Sequence, residues 1–373
     1  MSVIRSSSAG LAKWPDMKNP EDVNPDEGVN AADGVEEAHA TAANGERFVL
    51  TYTACYLVFL TSEIAQQPHR VFVSNELART ITVIDETSRR PIAEIPVPGR
   101  PRGIAVSANG ARLYVALSDT IRQKAGPADA VVAIDVRSQP PKIVDRLPAG
   151  TDPESFALSA DGRWLYVSNE DAGLATGIDL QARKIAARYA VGLEPEGVAI
   201  SPDDRWVYVT GETSNTVSMI DTRAQRVVAN LLVPARPRAV RFSRDGRRAF
   251  ATSELGRAFT VIDVANHTAL ATIAITDSGA KPVGVALSPD ERLAYVATGR
   301  GNTVAVVDLA AKRQVASIPV GKRPWGIAIS ADGKTLYTAN GLSGDVSVID
   351  TGTRRVVATI PAGAGAWGVA IQP

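Results

Sequence analysis

From Arg70 onward the chain repeats itself about every 42 residues, and a repeat of that period narrows the fold to a propeller or a solenoid. Aligned on an aromatic residue, the units begin at Arg70, Ala111, Arg163, Arg205, Arg247, Arg292 and Lys334. Each holds an aromatic strand (RVFVSN, WLYVSN, WVYVTG), then an alternating strand ending in Asp (TVID, SMID, SVID), then a third strand such as RVVATIPAG. A Pro-x-Gly step follows and leads into a small-residue strand such as GIAVS or GVALS. SADG, SPDD or SPDE turns carry the chain into the next unit, which is the chemistry of tight hairpins. Four short antiparallel strands in each of seven units predict an all-β, seven-bladed β-propeller over residues 70–373. The first unit starts at its second strand, and the chain ends on a lone first strand. Trp367–Ile371 is therefore expected to pair with Val71–Asn75, closing the ring and leaving no free sheet edge.

The first 69 residues are of another kind. Residues 1–47 lack an apolar period and read as a disordered acidic leader. Residues 48–65 begin with FVLTYTACYLVFL, too short to span a membrane but of signal-peptide length. A signal peptide belongs at the N-terminus, so the expectation is a translation start placed too far upstream and export to the periplasm; the alternative is a buried strand. No segment predicts an integral membrane protein.

The whole chain has 40 basic and 40 acidic side chains. Residues 1–69 hold 4 of the basic and 10 of the acidic ones, so the propeller is moderately basic. That field is too weak to predict nucleic-acid binding but suits an acidic partner. A single cysteine, Cys55, excludes an intrachain disulfide, a thiolate zinc site and a C-x-x-C-H haem attachment. Three histidines exclude a multi-histidine copper cluster.

The seven units can be compared with one another. Residues present in every unit are architectural: the aromatics Phe72, Tyr114, Tyr166, Tyr208, Phe250, Tyr295 and Tyr337 as packing between blades, and the strand-end Asp85, Asp135, Asp179, Asp221, Asp263, Asp308 and Asp350 as acceptors for turn N–H groups. Function is expected where the pattern breaks. The loop before the small-residue strand and the loop after the aromatic strand emerge on one face, because strands alternate in direction. The first loop supplies Arg100 and Arg102, Asp152 and Glu154, Glu194 and Glu196, Arg236 and Arg238, then Val283, Trp325 and Trp367. The second supplies Glu76, Glu170, Glu212 and Glu254. One half of this face is thus charged and the other carries two tryptophans, a combination suited to docking a ligand or protein.

The plainer alternative is a girdle in which Arg102 pairs with Glu154 and Glu196 with Arg238. Exposed pairs contribute only about 0–1 kcal/mol, a modest return for so many charges. Arg241 also breaks the pattern, standing where other units have Ala near where the blades converge; it is expected to pair with a neighbouring acid, the alternative being that it reaches the channel. Trp164 and Trp206 open strands on the opposite face and read as packing. The extra residues 121–130 read as an exposed loop, as ordinary length variation would also produce.

The YVSN/YVTG strands, VID turns and Pro-x-Gly steps resemble the YVTN-type seven-bladed propellers. The ordered series VSNE, RPRG, DPES, SNED, EPEG, GETSN, LLVPARPR and TSELG more closely resembles the β-propeller proteins associated with PQQ-dependent alcohol catabolism. The likeness covers residues 70–373. It implies an exported protein working beside a periplasmic quinoprotein dehydrogenase or a transport component of its pathway, and brings no catalytic residues. The insertion at 121–130 and the long leader depart from that pattern.

No Gly-x-Ser-x-Gly elbow, paired-histidine metal motif or phosphate loop occurs. No catalytic residue, metal site or cofactor is therefore assigned, and the expectation is a non-catalytic binding or scaffold protein. Two alternatives stay open: a propeller lactonase or lyase using Glu154, Glu196 and their arginine neighbours, and a cell-surface interaction protein unrelated to quinoproteins.

Overall fold

The structure is a computed structural model that describes residues 37–41, 47–51, 69–119 and 126–373. It divides into two units at Ile64/Ala65. In the first, Glu37–Thr41 pairs antiparallel with Arg47–Thr51. The rest of the leader, Cys55 and most of the 48–65 apolar segment lie outside the described residues.

The second unit is seven four-stranded antiparallel sheets, six of them with their strands in chain order from the centre outward. Numbering blades by their aromatic strands, the innermost strands of blades two to seven are Arg100–Val106, Pro153–Leu158, Pro195–Ile200, Pro237–Phe242, Val285–Leu287 and Pro324–Ile329. Blade one draws its innermost strand, Ala366–Ile371, from the C-terminus, in register Val71↔Ile371, Phe72↔Ala370 and Val73↔Val369. The ring closes as the phase of the repeat requires.

The core lies between blades rather than within one. Tyr208, Val217 and Met219 of blade four pack with Val240, Phe242, Ala249 and Ile262 of blade five. Six of the seven recurrent aromatics are buried, and Tyr114 is half-buried. The strand-end aspartates accept turn N–H groups, as Asp221 does from Arg223 at 2.8 Å and Ala224 at 2.9 Å. These bonds hold the Asp221 carboxyl below its ordinary pKa, and the carboxyls of Asp85, Asp135, Asp179 and Asp350 are lowered in the same way by their turns.

The Pro-x-Gly step is explained by close approach at the ring's centre. A Cβ on Gly197 would lie 2.3 Å from the carbonyl oxygen of Arg238, and one on Gly326 would lie 2.5 Å from that of Trp367. In each case the neighbour is the variable residue of the next blade, so a glycine on one blade seats a mouth residue on the other. A buried hydroxyl of the aromatic strand fixes the same junction. Thr210 Oγ1 accepts from the Gly197 N–H at 2.8 Å and donates to the Arg238 carbonyl at 3.0 Å. Ser74 does this for Gly368 and Arg102, and Ser168 for Ser155 and Glu196.

Candidate binding site at the channel mouth

The innermost strands slip register where the variable residues sit: between Pro101 and Ile104, Pro153 and Phe156, Pro195 and Val198, Pro237 and Val240, and Pro324 and Ile327. A bulge re-aims a side chain that the ladder would otherwise hold against a neighbouring blade. Here these five bulges turn Arg102, Glu154, Glu196, Arg238 and Trp325 into one cavity of about 300 Å³ at the mouth of the channel, and a sixth, between Ala366 and Val369, carries Trp367. Glu76, Arg100, Asp119, Asp152, Glu170, Glu212, Arg236, Arg323 and Trp367 complete its lining.

The charges form two clusters. In the first, Arg102 is the hub: it pairs with Glu154, and lies 3.3 Å from Glu76, 3.2 Å from Glu170 and 3.9 Å from Asp152. Arg100 also pairs with Glu76. In the second, Arg238 pairs with Glu196 and Glu212 and lies 2.7 Å from Glu254, while Arg236 joins Glu212 and Glu254. Both pairings expected from the sequence, Arg102–Glu154 and Glu196–Arg238, are present. Their setting is not the expected rim, however, for Arg102, Asp152, Glu154, Glu196 and Glu212 are all buried. Desolvation of buried ions is expensive, so these clusters contribute little net stability even though breaking one would be costly.

Acids outnumber cations in both clusters, and the pKa values respond. Burial pushes the Glu196 carboxyl up to about 8, against the pull of Arg238 and with help from Glu212 and Glu170. Burial likewise raises Asp152 to about 6, opposed by Arg102 and reinforced by Glu170. Burial tends to lower the Arg238 pKa, but Glu196, Glu254 and Glu212 outweigh it and hold the guanidinium charged.

The carboxylates of Asp152, Glu154 and Glu170 come within 4.8 Å of one another, close enough to share a cation. The Arg102 guanidinium already stands among them. Asp129, at the end of the insertion, accepts the N–H groups of Asp119 and Gly126 at 2.9 Å and of Asp152 at 3.2 Å. That ties the described part of the loop to the mouth; residues 121–125 are outside the described residues.

Across the mouth, Trp325 and Trp367 meet with centroids 6.1 Å apart and planes tilted by 40°. Trp325 also packs against two guanidinium groups, with Arg323 at 4.7 Å and Arg238 at 5.3 Å from its ring centroid. Arg238 thereby joins the charged half to the aromatic half. Of the residues expected on this face, Glu194, Glu254 and Val283 do not line the cavity: Glu194 is exposed and accepts from the Thr213 hydroxyl, Glu254 stands behind Arg236 and Arg238, and Val283 is buried. Trp164 and Trp206 pack as expected at the far ends of their strands, Trp164 stacked on Tyr166 and Trp206 against His267.

Sequence reasoning missed three features. Arg323 belongs to the aromatic half; its place before Pro324, matching Arg236 before Pro237, was the available signal. Leu77, Leu193, Leu255 and Leu342 stand around the mouth face at 72%, 60%, 52% and 69% exposure, an apolar fringe on the same face. The expected acid partner of Arg241 does not exist: among the described residues no carboxylate pairs with it, because its blade turns it into the channel rather than toward a neighbour.

Fold and mouth together define a seven-bladed β-propeller with a charged and aromatic channel entrance. The sequence matches the family of cytochrome D1 heme domains over residues 253–368 and the YNCE-like β-propeller family over residues 198–289. No curated protein matches the chain. Among solved structures, hydrazine synthase of Kuenenia stuttgartiensis aligns at 23% identity and a TM-score of 0.65, covering 74% of this chain and 90% of its own. A protein of unknown function from Desulfotomaculum acetoxidans aligns at 17% identity and a TM-score of 0.69, covering 81% and 98%. A proposed 6-phosphogluconolactonase from Bacteroides fragilis aligns at 15% identity and a TM-score of 0.69, covering 82% and 98%. At these identities the likeness establishes the fold alone. Among the described residues no helix is long and apolar enough to cross a membrane.

Proposed function

We propose that this chain is a non-catalytic binding protein of the periplasm that serves PQQ-linked alcohol oxidation, with the channel mouth as its docking site. The observation that carries the reading is the meeting of the Trp325–Trp367 pair with the Arg238 cluster in a single cavity, ringed by exposed leucines. Aromatic and arginine anchors beside a desolvated polar centre are the usual makings of a binding hot spot. The resemblance of the VSNE-to-TSELG series supplies the pathway and the partner, a periplasmic quinoprotein dehydrogenase. Binding of the purified dehydrogenase from the same source to wild type and to a Trp325→Ala, Trp367→Ala variant tests it. A loss of affinity of at least about 100-fold is expected, as for two hot-spot residues. Equal affinity, or no binding by wild type, would overturn it.

One observation favours a second reading. A carboxyl raised to about 8 beside an arginine is suited to acid–base work, and one structural neighbour is a proposed lactonase. Under this reading lactone hydrolysis is present in wild type and lost in Glu196→Gln.

A further inference from the structure

Seven residues occupy the same register on the innermost strands, each opposite the recurrent aromatic of its blade: Ala105, Ala157, Ala199, Arg241, Ala286, Ala328 and Ala370. Six are alanine and one is arginine. Alanine keeps the centre of the ring narrow-walled and neutral, so the arginine has no architectural explanation. Its side chain lines two cavities in succession along the channel: one of about 260 Å³ beneath the mouth, and one of about 590 Å³ at the other end.

The arginine is exposed to the channel, and the protein packed around it lowers its pKa. Among the described residues it has no ion pair and no side-chain hydrogen bond, whereas Arg102 and Arg238 are each surrounded by carboxylates. A guanidinium so placed has no internal counter-charge, and its planar fork is shaped for a two-oxygen anion. The wall around it on the mouth side is mixed: Ile104, Phe156, Val198, Val240, Ile327 and Val369 contribute apolar surface, and Glu196 and Arg238 stand among them. An inorganic ion would leave the apolar surface unused.

We propose that the channel beneath the mouth binds the anion of a small apolar carboxylic acid, its carboxylate held by Arg241 and its hydrocarbon part by the surrounding aliphatic wall. This site goes beyond the docking reading and does not depend on it.

Calorimetric titration of the full chain with benzoate, benzyl alcohol and inorganic phosphate tests it, on wild type, Arg241→Ala and Arg241→Lys. Arg241→Ala gives this blade the residue of the other six, so it is expected to fold and to melt no lower than wild type. The expected result is benzoate binding to wild type, weakened at least tenfold in Arg241→Ala and less in Arg241→Lys, with benzyl alcohol and phosphate both much weaker. Equal benzoate affinity in wild type and Arg241→Ala would overturn the proposal. So would benzyl alcohol or phosphate binding as tightly as benzoate, or no benzoate binding at millimolar concentration.

Discussion

The carboxylates at the blade turns and those at the channel mouth are the same chemical groups put to opposite ends. At the turns, Asp221 accepts backbone N–H groups of the residues that follow it, and its pKa and those of Asp85, Asp135, Asp179 and Asp350 are lowered. At the mouth, Glu196 and Asp152 are buried in excess over their arginine partners, and their pKa values are raised. The first arrangement recurs sevenfold and stabilises each turn by a local bond. The second occurs once, draws side chains from several blades into one cavity, and stabilises little. A group held at an energetic disadvantage is what a binding or catalytic site contains, and a stabilising girdle does not.

This difference is sharpest when a single charge is removed. Arg238→Ala leaves Glu196, Glu212 and Glu254 with only Arg236 among them, and unfolding by denaturant is expected to fall by about 3–5 kcal/mol.

The next effect is one of pH. A carboxyl with a raised pKa binds more protons folded than unfolded, so stability falls as pH rises between its unfolded and folded values. For Glu196 that window runs from 4.5 to about 8, and for Asp152 from 3.8 to about 6. Asp179 and Asp221 at the turns have the opposite sign: their contribution is present above 3.8 and is lost as pH falls through their lowered values. Melting temperature should therefore peak in mildly acidic buffer, drop steeply on the acid side and decline gently toward pH 8. In Glu196→Gln the decline should end near pH 6, where Asp152 has finished titrating. A wild-type melting temperature that rises from pH 5 to 8 would contradict the assignment.

Smallest of all is Asp221→Ala at a turn, expected to lower the melting temperature by only about 2 °C and to leave the neutral-to-alkaline limb unchanged. A change in that limb would mean that turn and mouth are coupled, against the separation drawn above.

Much of the propeller was legible because each element is written seven times. The aromatic strands, the strand-end aspartates and the closure by Trp367–Ile371 all follow from comparing units. So do the Arg102–Glu154 and Glu196–Arg238 pairs, which join neighbouring blades. The burial of these pairs was not legible, because it depends on how far five bulges turn side chains toward the axis. Nor was the hub of Arg102, which gathers Glu76 from one neighbouring blade and Glu170 from the other. Arg241 shows the same boundary. Its departure from alanine was plain in the sequence, but whether it met an acid or the channel depended on the ring's interior.

Site and girdle make opposite statements about one variant, Glu196→Leu with Arg238→Met, which removes one charge of each sign and leaves Arg236 to Glu212 and Glu254. The measurement is its free energy of unfolding in denaturant. If the mouth is kept for binding, the variant will be at least as stable as wild type, since a buried ion pair exchanged for apolar groups of similar size is neutral or stabilising. A loss of more than about 2 kcal/mol would show that the cluster is there to hold the ring together.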